Sequence, residues 1–159
     1  MVTDLLRRPG AKRAVHLEGA VPDLGAGTVV VGPDDLVRID AVLERIPEGI
    51  VVRGEVDVAW TAECNRCLGP MRGELAIGID ELFETDPIDG ETYRLDGDSI
   101  DLEQIVRDHV VLELPTAPRC RDDCRGLCPT CGADRNDVDC GCVEEVGDPR
   151  WAALGSLEL

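Results

Sequence analysis

The spacing of the cysteines constrains this chain more than any other feature. Six of the eight cysteines lie between residues 120 and 142, and the other two form a separate Cys-x-x-Cys at 64 and 67. Two thiolates three residues apart on a tight turn can bind one tetrahedral Zn²⁺. In Cys128-Pro129-Thr130-Cys131-Gly132 the proline stiffens the turn, and the glycine permits a positive φ that lets backbone N–H groups approach the sulfurs. The spacing therefore predicts zinc binding.

The eight cysteines divide into two predicted sites of four. One predicted site uses residues that are local in sequence: Cys128, Cys131, Cys140 and Cys142. The other joins two distant pairs across a long intervening chain: Cys64 and Cys67 with Cys120 and Cys124. Four thiolates leave no open coordination position, so each zinc is expected to be structural rather than catalytic.

Two other interpretations of the cysteines remain open. A disulfide framework would allow 105 pairings of eight cysteines, but it requires a secreted chain. A thioredoxin-like redox pair at Cys64/Cys67 or Cys128/Cys131 requires a Cys-x-x-Cys that opens a helix, whereas Gly132 and the polar run after it favour a loop. No apolar signal segment follows Leu5-Leu6 and no apolar run approaches about 18 residues. These features favour a reducing cytoplasm, metal binding and no membrane contact.

The charge of the chain bears on its partners. The formal net charge is -17, from 33 acidic and 16 basic residues. Such a field repels a bare phosphate backbone, because nucleic-acid affinity depends on Lys and Arg replacing counterions. It attracts a basic protein. An aromatic content of 3% also argues against a base-stacking surface. Charge alone favours a role in solubility over a specific partner.

Hydrophobic periodicity predicts an α+β fold: an antiparallel sheet, one main helix and a C-terminal cysteine-rich, zinc-binding segment. Apolar residues alternate with polar ones over 37–43, 50–60 and 71–79, which indicates half-buried strands. The first Cys-x-x-Cys then lies at a hairpin tip. The period becomes helical over 99–114, where Ser99 or Asp101 can cap the helix, Gln104 could complete a capping box and Pro115 ends it. His109 is expected to be a hydrogen-bonded core histidine, with zinc ligation as the alternative.

Three regions are predicted along the chain. Residues 1–13 carry Arg7, Arg8, Lys12 and Arg13 and are expected to form a flexible basic arm, either solvated or in contact with RNA. Residues 14–115 form the sheet and helix domain. Residues 116–159 form the zinc-binding segment, followed by a short helix that Pro149 can open and that packs on the sheet or on a partner. With two histidines and no catalytic motif, the chain is predicted to have neither enzymatic activity nor a small-molecule substrate.

Four motifs in this order resemble the YceD-like family, the large ribosomal RNA subunit accumulation proteins. They are Cys64-Asn-Arg-Cys67-Leu68, Leu112-Glu-Leu-Pro115, Cys124-Arg-Gly-Leu-Cys128-Pro-Thr-Cys131-Gly, and Asp148-Pro149-Arg150. The resemblance covers roughly residues 10–157. Its cysteine motifs transfer onto Cys64, Cys67, Cys124, Cys128 and Cys131, while Cys120, Cys140 and Cys142 fit the longer, cysteine-rich members.

The resemblance implies a cytoplasmic, non-enzymatic factor that supports accumulation of large-subunit (23S) ribosomal RNA. We expect an acidic surface to bind the large ribosomal subunit precursor or a basic large-subunit ribosomal protein. The alternative is direct RNA contact through residues 7–13 and the arginines near the cysteines, which are Arg66, Arg119, Arg121 and Arg125. A thiol-redox protein is the third hypothesis.

Overall fold

Two 15-residue strands, paired along their full length, form the centre of the fold. The computed structural model describes residues 1–143 and residue 150. The elements in chain order are α1 (Thr3–Leu6), β1 (Lys12–Gly19), β2 (Gly25–Ala26), β3 (Val29–Val30), β4 (Val37–Arg45), β5 (Gly49–Glu63), β6 (Pro70–Glu84), β7 (Tyr93–Arg94) and α2 (Leu102–Glu113).

The sheet is antiparallel apart from its last short strand. β1 pairs with β4, β4 with the first part of β5, and β6 with the whole of β5. β3 meets β5 at Val30 and Thr61, and β2 pairs with β3. β7 runs parallel to the end of β6. With α2 as the main helix and a C-terminal cysteine cluster, this architecture confirms the predicted α+β class.

One face of the sheet is apolar and the other is polar, because successive side chains of a strand point to opposite faces. In β4, Val37, Ile39 and Leu43 are buried, while Arg38 and Asp40 between them are exposed. The same alternation runs through β5 from Arg53 to Glu63, where it confirms the predicted period of two, whereas Gly49–Val52 are all buried. The apolar face is almost entirely aliphatic, and the described aromatic residues add one stacked pair, Phe83 and Tyr93, with centroids 5.3 Å apart.

Helix α2 covers part of the apolar face. Ile105, Val106 and Val110 are buried in the same core as the sheet residues. The carboxylate of Asp101 accepts a hydrogen bond of 2.9 Å from the backbone N–H of Glu103, which satisfies one of the free donors of the first turn. Asp101 is therefore the N-cap, one of the two residues that the sequence offers for this role.

His109 lies where α2 meets β6. Its Nε2 is 2.8 Å from Oε1 of Glu81, and its side chain is 24% exposed. It belongs to neither group of cysteines among the described residues. The predicted hydrogen bond agrees with this contact, but His109 is half-buried rather than a core residue.

The N-terminal residues differ from the flexible arm that the sequence predicts. Val2 and Leu5 are 1% and 2% exposed, and the backbone N–H of Val2 donates to the carbonyl of Asp98 at 2.6 Å. Lys12 and Arg13 already belong to β1. The segment packs because the free energy gained by burying two apolar side chains offsets the conformational entropy that is lost when the segment becomes ordered.

Residues 115–143 contain neither a helix nor a strand; one isolated bridge joins Leu127 to Asp134. The predicted helix at Pro149, with Trp151, Leu154 and Leu157, lies outside the described residues. The boundaries after residues 13 and 115 stay predictions. None of the helices in the described part of the chain combines the length and apolar character that crossing a bilayer requires.

Candidate metal centre

The tip of the β5–β6 hairpin carries the first Cys-x-x-Cys, as the sequence predicts. β5 ends at Glu63 and β6 begins at Pro70. The tip is closed by hydrogen bonds from the N–H of Cys64 to the carbonyl of Gly69, at 2.8 Å, and from the N–H of Leu68 to the carbonyl of Cys64, at 2.9 Å. The long paired strands therefore hold two sulfurs on a rigid support.

Site one brings this pair together with two cysteines of the C-terminal segment. Its members, whose four Sγ atoms all lie within 4.8 Å of one another, are Cys64, Cys67, Cys120 and Cys124. The Sγ distances are 3.8 Å for Cys64–Cys124 and 3.7 Å for Cys67–Cys120. Four thiolates at about 2.3 Å from a tetrahedral ion stand about 3.8 Å apart. The spacing of the sulfurs therefore fits a four-coordinate metal ion.

Backbone contacts attach the C-terminal segment to the hairpin tip. The N–H of Asn65 donates to the carbonyl of Pro118 at 2.8 Å, and the N–H of Leu127 donates to the carbonyl of Arg66 at 3.0 Å. Gly126 lies against the same carbonyl with φ of +70°, and a Cβ there would stand 2.9 Å from the oxygen of Arg66. The attachment requires glycine both for its backbone conformation and for its lack of a side chain.

Replacing this glycine should loosen the attachment. We expect Gly126→Ala to weaken docking of the segment by about 1–3 kcal/mol, through the positive φ and the close carbonyl. Faster amide exchange at Leu127 would report it. Gly97→Ala is the matched control, because Gly97 has φ of +60° but no atom within 4 Å of its Cβ position. An equal effect at Leu127 in both variants would contradict the role of the contact.

Site two is formed within the C-terminal segment. Its four members, whose Sγ atoms also lie within 4.8 Å of one another, are Cys128, Cys131, Cys140 and Cys142. Cys131 and Cys142 are exposed, whereas in site one only Cys120 is exposed. Site two is therefore close to solvent. The structure thus places the eight cysteines in the two groups that the sequence predicts, and metal binding by them stays a prediction.

The two Cys-x-x-Cys turns have the same form. In each, the residue after the second cysteine has a positive φ and donates its N–H to the carbonyl of the first cysteine: Gly132 with φ of 74° and Leu68 with φ of 59°. The sequence predicts a positive φ at Gly132, and the structure confirms it. A leucine in the left-handed region is uncommon, and nothing in the sequence around Leu68 predicts it.

Hydrogen bonds to sulfur favour the thiolate form of a cysteine in both sites. The N–H of Cys120 donates to Sγ of Cys64 at 3.4 Å and helps to lower the pKa of Cys64 to about 6. The backbone N–H of Cys131 lowers the pKa of Cys128 to about 6 in the same way. The pKa of Cys120 is raised to about 12 by its bond with Cys124. Without metal each site holds protons among its sulfurs, so metal affinity should fall as pH falls.

Asn136 links the two sites. It lies in the loop that site two closes, yet its Nδ2 donates to Sγ of Cys124 in site one at 3.4 Å and to Oδ1 of Asp134 at 2.7 Å. Its Oδ1 accepts from the N–H of Arg125 at 2.8 Å and from the guanidinium of Arg121 at 2.7 Å. The bond from Asn136 is the main cause that lowers the pKa of Cys124. The sequence offers no signal for this role beyond one asparagine in a polar run.

The geometry favours metal coordination over both alternatives. All eight cysteines are free, and Sγ distances of 3.7 and 3.8 Å far exceed the roughly 2.05 Å of a disulfide. Neither Cys-x-x-Cys begins a helix, since the described helices are α1 and α2. A thioredoxin-like pair depends on a helix N-terminus to stabilise its thiolate. Each group of four sulfurs could hold a metal ion.

The family model described as Large ribosomal RNA subunit accumulation protein YceD matches residues 52–158, a range that contains all eight cysteines. The chain belongs to the YceD family. The resemblance stated from the motifs is therefore confirmed.

Relatives of this YceD-family protein include two mycobacterial proteins without an assigned function. An uncharacterized protein of Mycobacterium tuberculosis is 39% identical over 162 residues, which cover 96% of this chain and 77% of that protein. One of Mycobacterium leprae is 37% identical, covering 98% and 75%. The Large ribosomal RNA subunit accumulation protein YCED homolog 1, chloroplastic, of Arabidopsis thaliana is 27% identical, covering 98% of this chain and 56% of that protein. No solved structure matches the chain significantly.

Proposed function

We propose that this protein is a non-enzymatic assembly factor for the large ribosomal subunit. It supports accumulation of 23S ribosomal RNA, and it does so by binding a basic ribosomal protein or a preribosomal particle. Membership of a family named for accumulation of large-subunit ribosomal RNA supports the process. The distribution of charge on the fold supports a basic partner. In this proposal the protein acts in the cytoplasm, where ribosomes are assembled.

The observation that carries the choice of partner is the concentration of acid in one continuous stretch of the chain, residues 80–113, the acidic end. Residues 80–113 contain twelve Asp and Glu against two Arg, a net charge of -10 out of the chain's -17. They form the end of β6, β7, α2 and the loops between them. Such a local field favours encounter with a basic surface and opposes phosphate.

Zinc is the metal that the two sites fit best. Tetrahedral coordination by four thiolates is typical of structural Zn²⁺ in a reducing compartment. The bound ion would hold the C-terminal segment on the hairpin tip and leave no open position for a substrate. We expect about two zinc ions per chain in protein purified without chelator. A metal-free protein with four disulfides would contradict both sites.

A genetic experiment tests the process. Loss of the gene should lower mature 23S relative to 16S ribosomal RNA, and expression of the wild-type protein should restore the ratio. A variant with Glu→Gln and Asp→Asn changes throughout residues 80–113 should fail to restore it if the acidic end binds the partner. An unchanged 23S to 16S ratio after loss of the gene would reject the proposed process.

Direct RNA contact is the second candidate, favoured by one observation at the metal end. Arg66, Arg119 and Arg125 are exposed, and no ion pair of theirs is seen in residues 1–143. Five Asp accompany five Arg at this end, counting residues 64–67 and 116–143, and a four-thiolate zinc site adds a charge of about -2. The guanidinium groups therefore offset the metal centres rather than creating a net basic patch.

Salt-dependent binding separates the two candidates. Filter binding to large-subunit RNA should be weak at physiological salt. The variant Arg66→Gln, Arg119→Gln and Arg125→Gln should change the affinity for RNA little. Of the predicted basic arm, Lys12 and Arg13 are neutralised by Glu44 and Asp4. Tight RNA binding that the three substitutions abolish would favour the RNA candidate.

A further inference from the structure

A groove of about 760 Å³ lies between helix α2 and the chain that leads into β7. One wall is a single face of α2, on which Gln104, Asp108 and Leu112 recur at intervals of four residues. The opposite wall is the loop over residues 87–91. Glu81 and Tyr93 lie between the two walls.

The groove is negatively charged. Asp89, Glu91 and Asp108 line it and are exposed, and Glu81 is hydrogen-bonded to His109. The hydroxyl of Tyr93 donates to Asp108 at 3.1 Å. Burial, followed by the charges of Asp108 and Glu81, raises the pKa of Tyr93 to about 12.

Among the described residues, Arg94 is the one arginine or lysine that lines the groove, and its guanidinium contacts the backbone. Arg94 donates to the carbonyl of Thr85 at 3.4 Å, so it pairs with none of the lining carboxylates. Because the carboxylates of Glu81, Asp89, Glu91 and Asp108 line the groove against this one guanidinium, the net charge of the groove stays negative.

The end of the groove also presents apolar surface and the negative end of a helix. Leu112 is 81% exposed and Ile88, between two lining residues, is 55% exposed. The last turn of α2 carries no basic residue and ends at Glu113. Helix C-termini carry a partial negative charge that a cation stabilises. At this end of the groove a cation would be stabilised by the C-terminus of α2, and an aliphatic side chain could pack against Leu112 and Ile88.

The polar face of the sheet is a poorer match for a basic partner. Its arginines Arg38, Arg53 and Arg72 each form an ion pair with a carboxylate of the same molecule. These pairs neutralise part of the face. The acidic groove is less neutralised, because Arg94 is its one guanidinium in the described part of the chain and donates to a backbone carbonyl.

We propose that this groove binds a lysine- and arginine-rich segment of a protein, with the cations beside Asp89, Glu91 and Asp108 and an aliphatic side chain against Leu112. The inference rests on the proposed function, since it supplies the docking site for the basic partner. Charge complementarity favours a basic segment in the groove. The carboxylates would repel a phosphate group, and an uncharged peptide would leave them without a cation.

The test uses a fluorescein-labelled dodecapeptide of eight Lys and Arg and four Leu, titrated with the full-length protein at physiological ionic strength, where the Debye length is about 8 Å. The groove variant is Asp89→Asn, Glu91→Gln and Asp108→Asn. The matched control, Glu55→Gln, Asp57→Asn and Glu74→Gln, removes the same charge from the polar face of the sheet. We expect the groove variant to raise the Kd about tenfold or more and the control less than about threefold, because screening makes charge effects local. Leu112→Ser should weaken binding further, whereas Leu36→Ser should not.

Each outcome decides one statement. Equal losses in the two charge variants would show that net charge alone drives binding and would overturn the groove. A larger loss in the control would move the site to the sheet and leave the protein partner standing. No binding of the peptide to the wild-type protein would reject the groove and, with it, a basic protein partner. Since all these substitutions are at the surface, unchanged thermal unfolding should accompany them.

Discussion

The Cys67→Ser variant is expected to lose one of two zinc ions and to release residues 116–142 from the hairpin, while the sheet stays folded. Cys67 supplies a ligand from the hairpin tip to site one, and Cys120 and Cys124 supply ligands from the segment. Structural zinc contributes about 10 kcal/mol or more of folding free energy to segments that lack a core. No single hydrogen bond at the tip approaches that size.

Amide hydrogen exchange and zinc analysis check this result. In Cys67→Ser, protection should fall across residues 116–142 and persist in β4, β5 and β6. Cys131→Ser is the control, because it removes a ligand of site two alone. That variant should also lose one zinc, but it should keep the contact between Asn65 and Pro118. Equal loss of protection in the two variants would contradict the division into a clamping site and a local site.

The Asn136→Ala variant is expected to shorten zinc retention at site one by about 10- to 100-fold, the range typical for loss of a residue that orients a metal ligand. Alanine removes the donor to Sγ of Cys124 together with both acceptor contacts to Arg121 and Arg125. The thiolate of Cys124 loses stabilisation, and the loop of site two loses its connection to site one. A substitution in the loop of site two should therefore change zinc retention at site one.

Release of zinc to a colorimetric chelator measures this effect. In the Cys131→Ser background the retained zinc comes from site one, so the rate there isolates the role of Asn136. Asn136→Asp separates the contacts, since the carboxylate keeps the acceptor and loses the donor to sulfur. Asp137→Ala is the neighbouring control. If Asn136→Ala releases the zinc of site one no faster than Asp137→Ala does, the proposed link through Cys124 is wrong.

The strands and the grouping of the cysteines could be predicted because the information is local. Val37, Ile39 and Leu43 alternate with charged or exposed residues, since one sheet face is covered and the other is not. The spacing of Cys128, Cys131, Cys140 and Cys142 allows one local site, which leaves the remaining four for the other. Hydrophobic periodicity and cysteine spacing can both be read over a few residues, and they were sufficient to predict the strands and the two groups of cysteines.

The missing features depend on contacts between distant parts of the chain. Leu5 is buried in α1 and Val2 just before it, but a four-residue helix is too short to show a period, and the segment is anchored to the remote Asp98. Asn136 acquires its role only when the hairpin brings Cys64 and Cys67 to Cys124. The acidic groove forms where α2 faces β7, which the net charge of the sequence does not locate.

The position of site one at a hairpin tip sets an order of folding events. Cys67 and Cys120 are 53 residues apart, so complete coordination requires the β5–β6 pairing to form and the chain through α2 to fold back first. Site two closes within 128–142 and can acquire its ion while the rest of the chain is still unfolded. We therefore expect site one to acquire its zinc last, and we expect a cell short of zinc to accumulate a folded sheet with an undocked C-terminal segment.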